Sequence, residues 1–343
     1  MGLQIADIVP KKEIEISDLK GKTLAVDAFN VIYQFLSTIR QPDGTPLSDS
    51  KGRVTSHLSG LFYRNMNLLH EGIKLIYVFD GKHPELKRGT QEKREEAKYA
   101  ARERYEQAKG EEDIEKMGMY AKQLSYLDTE KINESKELLN AMGIAVIQAP
   151  GEGEAQASYM AKHEKSIYAV ASQDYDSLMF EAPFAIQNLT LAKKRKTATG
   201  FIEIKPQLLE LKNVLKELDI SQDQLICIGI LSGSDYNPGG VKGIGPKKAL
   251  KLVKEYKTPE KIFEAVSNFE KEGKYKLDFN WKEVYELIKN PDIVRDYQIE
   301  FPKFDGEKIK KILMEHDFSE ERIDSQFEKF KELLEKRKQK TLF

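Results

Sequence analysis

Four short apolar runs, far apart along the chain, each lead into acids, and this pattern constrains the fold more than any other feature. Residues 23–26 lead to Asp27, and residues 73–79 lead to Asp80. Residues 144–147 are followed within a few positions by Glu152 and Glu154, and residues 167–171 by Asp174 and Asp176. Brief aliphatic and β-branched runs of this kind read as buried strands. In an open α/β sheet the carboxyl ends of the strands form the edge where sites are built. The expected fold class is therefore α/β, with a mostly parallel central sheet and acids gathered at one edge. A seventh acid, Asp235, stands in Gly233-Ser234-Asp235-Tyr236.

Between these runs the apolar period changes. Residues 28–39 and 57–69 have helical spacing, with Tyr33 and Arg40 along the first, and 41–52 is a Pro/Gly/Ser-rich loop. From 82 to 122 large aliphatic residues are scarce, and Lys82, Lys87, Arg88, Lys93, Arg94, Lys98, Arg102 and Arg104 alternate with glutamates. A solvated helix laced by i,i+4 ion pairs would look like this. So would a basic helix standing off the body to grip a polyanion, and the position directly after Asp80 favours the second reading. Residues 126–142 predict a returning amphipathic helix, 152–162 a further helix, and 184–189 a fifth strand. The cluster 193–196 reads as the basic tip of a hairpin. Helices are expected over 208–218, 223–231, 249–256, 259–266, 281–288, 309–316 and 320–338. The resulting organisation is 1–81 and 131–235 as the two parts of a core, 82–130 as an arch of basic helix standing off the body, 236–338 as a helical region and 339–343 as a tail.

Charge decides little in total and more in its pattern. The 343 residues carry 55 basic and 56 acidic side chains, a formal charge of −1. Neutrality excludes a uniformly basic binder, but it also arises when acids gather in a site and bases spread over a binding face. Cys227 is the single cysteine, which excludes an intrachain disulfide and a cysteine-rich zinc site and points to a reducing interior. No run is long enough to span a bilayer and no signal-peptide pattern is present, so a soluble, intracellular protein without a membrane partner is expected.

Any one of the seven acids is more simply a cap or a loop residue. Together they are not. Carboxylates ~4 Å apart repel by roughly 4 kcal/mol per pair at an effective dielectric near 20, so a converging cluster must protonate or bind cations. All-oxygen ligation selects Mg²⁺, with Mn²⁺ as a substitute, and the five scattered histidines offer no rival site. Two ions ~3.5–4 Å apart can clamp a phosphodiester, with Lys87 and Arg94 placed to offset charge on the phosphorane. Farther on, Gly243-Ile244-Gly245-Pro246-Lys247-Lys248 forms a tight hairpin in which Pro246 opens a helix. Lys247 and Lys248 in that first turn oppose the helix dipole but suit a bound phosphate. Such a loop holds a nucleic-acid backbone without reading bases.

The chain resembles the flap endonucleases, structure-specific 5′ nucleases with a PIN-like α/β core, in an archaeal size. The resemblance rests on Val26-Asp27-Ala28, Tyr77-Val78-Phe79-Asp80-Gly81-Lys82, Ala149-Pro150-Gly151-Glu152-Gly153-Glu154-Ala155, Asp174-Tyr175-Asp176, Gly233-Ser234-Asp235-Tyr236 and Gly243-Ile244-Gly245-Pro246-Lys247. It implies cutting of branched DNA at 5′ flaps, with accompanying 5′→3′ exonuclease activity, by a monomer in which all seven acids serve two Mg²⁺ ions. Lys87 and Arg94, at the base of the arch, would contact the scissile phosphate. Tyr33 would stack on the terminal base, and Arg40 and Gly2 would lie along the DNA. Gly243, Gly245, Lys247 and Lys248 would hold the duplex, with K⁺ on the carbonyls of Gly240, Val241 and Gly243. Gln339 and Leu342 fit a sliding-clamp-binding peptide whose aromatic pair would begin at Phe343. The alternatives are a sister 5′→3′ exonuclease, a bubble-cutting repair nuclease, or a non-catalytic junction-binding clamp adaptor.

Overall fold

The structure is a computed structural model that describes residues 5–41, 43–82, 99–108, 110–111, 113, 116, 119–120, 126–190, 194–197, 200–271 and 273–340. In chain order the core is built from β1 (Lys12–Glu13), β2 (Thr23–Asp27), α1 (Ala28–Thr38), α2 (Ser56–Glu71), β3 (Lys74–Phe79), α3 (Thr129–Ala141), β4 (Ala145–Gln148), α4 (Gly153–His163), β5 (Ile167–Ala171), α5 (Asp176–Met179) and β6 (Phe184–Gln187). A two-stranded ribbon of β7 (Lys194–Thr197) and β8 (Gly200–Glu203) follows, then β9 (Gln207–Glu210). The rest is helical: α6 (Leu211–Leu218), α7 (Gln222–Ser232), α8 (Pro246–Tyr256), α9 (Pro259–Lys271), α10 (Trp281–Lys289), α11 (Gly306–Met314) and α12 (Glu320–Lys340).

The seven-stranded sheet runs β1-β9-β6-β5-β2-β3-β4. From β6 to β4 every pairing is parallel, and only β9 and β1 run against their neighbours. The four acid-bearing strands β5, β2, β3 and β4 are thus consecutive and parallel, so their carboxyl ends share one edge. Side chains alternate between the faces with the two-residue period of a strand. Leu24, Val26, Leu75, Tyr77 and Phe79 pack with α1, α2 and α3, whereas Ala25, Ile76, Val78, Ala145 and Ile147 pack with Ala157, Met160 and Ala161 of α4. Both faces are therefore covered, as a parallel sheet requires.

The helices after β9 divide between two places. α7–α10 surround a second core, in which the rings of Phe263 and Trp281 stack 4.3 Å apart. The chain then returns, and Ile309, Leu313, Ile323 and Phe327 of α11 and α12 join the face that carries α2. A buried polar seam fixes that return. His57 lies 2.9 Å and His316 3.3 Å from the Glu134 carboxylate, while Arg53 pairs with Asp49 at 2.7 Å and donates to the Glu315 carbonyl. The stretch 236–338, read from sequence as one helical region, thus packs on two different faces.

Two local expectations differ from the structure. Residues 207–210 form β9 rather than opening a helix, because Leu208 and Leu209 ladder with Ile186 and Ala185. That apolar spacing suits either element, and pairing with β6 decides it. Lys194, Arg195 and Lys196 lie within β7, paired with Glu203, Ile202 and Phe201, rather than at a hairpin tip. Among the described residues no helix is long and apolar enough to cross a membrane.

Candidate metal centre and nucleic-acid face

Asp27, Glu152, Glu154 and Asp176 sit where a strand or loop hands over to a helix. Asp27 ends β2 and caps α1, its Oδ1 accepting the Asn30 backbone N–H at 3.1 Å. Asp80 follows β3, and its Oδ1 accepts the Gly153 N–H at 2.8 Å at the start of α4. Glu152 precedes α4 as its N-cap residue. Within the first turn of α4, the Glu154 Oε1 accepts the Ser177 N–H of α5 at 3.0 Å. Asp174 accepts the Asn30 side-chain amide at 2.9 Å, and Asp176 is the first residue of α5. The capping role weighed for a single acid is therefore real for Asp27 and for Asp80. A cap occupies one carboxylate oxygen, and a cation needs the charge.

Electrostatics tie these acids into one cluster. Burial pushes the Glu154 carboxyl well above the usual range, and the nearby Asp176, Asp27 and Asp174 carboxylates push it further. Tyr236, buried beside them, is held protonated first by burial and then by Glu152, to which its hydroxyl donates. Asp235 is carried on the same short segment, half-buried. Among the described residues, however, no three acids, histidines or cysteines are drawn together tightly enough to chelate one ion. Carboxylates brought within ~4 Å of one another repel by roughly 4 kcal/mol per pair unless a cation offsets the charge. The residues fit a hard divalent cation, because the donors are all oxygen and the raised Glu154 carboxyl marks a site short of positive charge.

Around this edge lie the groups expected to meet nucleic acid. Tyr33 on α1 is 38% exposed. Arg40 turns inward instead: its guanidinium donates to the Ser37 carbonyl at 3.1 Å and the Gly44 carbonyl at 2.8 Å, holding the loop after α1. Tyr105, in the helical stretch 99–108, is close enough to act on that charge. The hairpin before α8 is knitted from within. Asn237 donates to the Ile230 carbonyl at 2.7 Å and accepts from the Ser234 hydroxyl at 2.6 Å. Gly240 has φ +56°, and a Cβ there would lie 2.4 Å from the Leu231 carbonyl oxygen, so only glycine fits. Gly243, Gly245 and Lys247 are exposed, and Lys248 reaches back to donate to the Gly243 carbonyl at 2.9 Å.

Gly2, Lys87, Arg94, Leu342 and Phe343 lie outside the described residues. Gln339 falls in the last turn of α12, and its side chain lies outside them too. Among the residues touching the acids that sequence reasoning missed are Asn30, Tyr236 and Ser172. Asn30 stands three positions after Asp27, one helical turn on, which is a weak signal; Tyr236 stood in a recognised motif without a role.

The family models define the class. An XPG N-terminal domain matches residues 3–101 and an XPG I-region matches residues 143–235, so this is a nuclease that hydrolyses phosphodiester bonds. A flap endonuclease 1 from Thermococcus onnurineus is 50% identical across 100% of this chain and 98% of its own length. One from Pyrococcus furiosus is 49% identical, again across 100% of this chain and 98% of its own. The chain belongs to the flap endonuclease family. Its structure matches flap endonuclease-1 from Methanococcus jannaschii with a TM-score of 0.74 and 39% identity, covering 98% of this chain and 100% of that one. The catalytic core of Rad2 in complex with DNA substrate, 23% identical, shares the fold with a TM-score of 0.70 over 96% of this chain and 100% of that one.

Proposed function

We propose that this flap endonuclease cuts branched DNA near the single-strand/duplex junction of a 5′ flap, with accompanying 5′→3′ exonuclease activity. The observation that carries the reading is the buried Glu154 carboxyl, surrounded by Asp176, Asp27 and Asp174 at the shared edge of four parallel strands. Asp27, Asp80, Glu152, Glu154, Asp174, Asp176 and Asp235 would hold two Mg²⁺ ions, with Mn²⁺ able to substitute. Such ions supply an activated water and charge stabilisation at the phosphate. The protein's own part is to hold these carboxylates at one sheet edge, with Glu154 buried among Asp176, Asp27 and Asp174. Lys87 and Arg94, placed by sequence just beyond Asp80, would offset charge developing on the scissile phosphate. Tyr33 offers an exposed ring to the terminal base, and Gly2 would contact the DNA.

The duplex behind the junction would rest on Gly243, Gly245, Lys247 and Lys248. The carbonyls of Gly240, Val241 and Gly243 would hold K⁺ there. Arg40, bound to its own loop, would act by shaping the surface beyond α1. In this reading 1–81 and 131–235 form the nuclease core, 82–130 the arch, 236–338 the duplex-binding helices with the return to the core, and 339–343 a tail. Gln339, Leu342 and Phe343 of that tail would bind a sliding clamp. The enzyme would work as a monomer inside the cell, with the chromosome. The test is Asp176→Asn: cleavage of a 5′-flap substrate should vanish while flap binding survives, and a variant that cleaves normally would remove Asp176 from the metal site.

A further inference from the structure

Asn30 stands in the first turn of α1, half-buried, and its backbone N–H and side-chain amide engage residues at the ends of β2 and β5. Its backbone N–H donates to Asp27 Oδ1 at 3.1 Å, and its Nδ2 donates to Asp174 Oδ2 at 2.9 Å. Its Oδ1 accepts the Gln173 backbone N–H at 3.3 Å. The last bond fixes which way the amide faces, since only the oxygen can meet that donor, leaving the NH₂ for Asp174. Gln173 is itself held, because its carbonyl accepts from Gln187 at 2.9 Å and its side-chain oxygen accepts the Asn188 N–H at 3.3 Å. A line of amides thus runs from the end of β6 through Gln173 and Asn30 to the two acids.

We propose that Asn30 is a positioning residue for the metal centre, setting the Asp174 carboxylate against Asp27 across the gap where β2 and β5 part. The inference rests on the divalent-metal reading above. A neutral amide suits the task. A lysine there would neutralise Asp174 and repel the incoming cation, while an aspartate would add one more repulsion. The carboxamide orients a carboxylate oxygen and leaves its charge for the metal. Partners that orient metal-ligating carboxylates in this way typically contribute 10–100-fold in affinity or activity.

The test is Mn²⁺ binding to the DNA-free protein, read from the electron paramagnetic resonance of unbound Mn²⁺, alongside thermal melting and flap-DNA binding in EDTA. Asn30→Ala should raise the Mn²⁺ dissociation constant about tenfold or more, with melting and EDTA-phase DNA binding close to wild type. In an Asp174→Asn background the same substitution should cost little further, because its effect passes through that carboxylate. Unchanged Mn²⁺ affinity in Asn30→Ala, or equal losses with and without Asp174, would overturn the inference. Asn30→Ser, too short to reach Asp174, is the second variant; if both variants lose affinity only in proportion to lost fold, Asn30 is structural and the inference is again overturned. Wild-type protein that takes up no Mn²⁺ would instead refute the metal reading itself.

Discussion

Gly81→Ala probes the joint on which Asp80 depends. The strands β3 and β4 end side by side, and beyond them Gly81 N–H donates to the Gly151 carbonyl at 2.6 Å and Lys82 N–H to the Pro150 carbonyl at 2.9 Å. A Cβ at Gly81 would lie 2.3 Å from the carbonyl oxygens of both Ala149 and Pro150. These are backbone atoms, so no side chain can swing aside and the two segments must part. Two weakened hydrogen bonds cost about 1 kcal/mol each, and forced repacking adds about 1–3 kcal/mol. On that sum the melting temperature should fall by roughly 4–7 °C. Asp80 moves with the joint, away from Glu152 and Glu154, and a displacement of about 1 Å at a reacting centre costs on the order of 100-fold in rate. The assay pairs thermal melting with single-turnover cleavage of a 5′-flap substrate. Gly110→Ala is the control, because a Cβ there meets nothing within 4 Å. Gly81→Ala with wild-type melting and wild-type cleavage would refute the reasoning.

Three further outcomes follow from charge. The metal-free Glu154 carboxyl is raised above its unfolded value, so its contribution to stability is full below about pH 4.3 and is lost as pH rises through the folded pKa. The gain in melting temperature on adding Mg²⁺ should therefore widen as pH rises above the unfolded value, and a gain that does not change with pH would contradict this. His57 is lowered by burial, with Glu134 opposing and Lys131 and His316 adding to it. Its contribution is present above about pH 6.5 and is lost as pH falls through the folded pKa; His57→Gln should flatten that part of a denaturant-midpoint profile, and an unchanged slope would count against it. Lys247→Ala should weaken duplex binding equally across sequences and reduce the log–log salt slope by about 1, as measured by anisotropy at several salt concentrations.

The sheet was legible because its signal is local. Short β-branched runs such as 23–26 and 167–171 announced buried strands, and acids just past their ends announced the edge where those strands finish. Pairing order was not local: that β2 lies between β3 and β5 follows from packing, and nothing near Asp27 encodes its neighbours. β9 was misread because 208–218 keeps an apolar spacing that suits either element, and the open edge of β6 settled it. The return of α11 and α12 onto α2 was hidden for a related reason, since a helix shows its apolar stripe but not the face that will receive it. At the site the charged residues were visible and the neutral ones that orient them were not. Asn30 and Tyr236 carry no charge to draw notice, and their roles exist only once β2, β5 and the segment after α7 have met.

The most direct test of the central claim is cleavage of a double-flap DNA substrate by the full chain, in Mg²⁺ and in EDTA. On the proposed reading a cut near the junction appears in Mg²⁺, leaving 5′-phosphate and 3′-hydroxyl ends, and no cut appears in EDTA. A folded protein that fails to cut in Mg²⁺, or that cuts equally well in EDTA, would contradict the account.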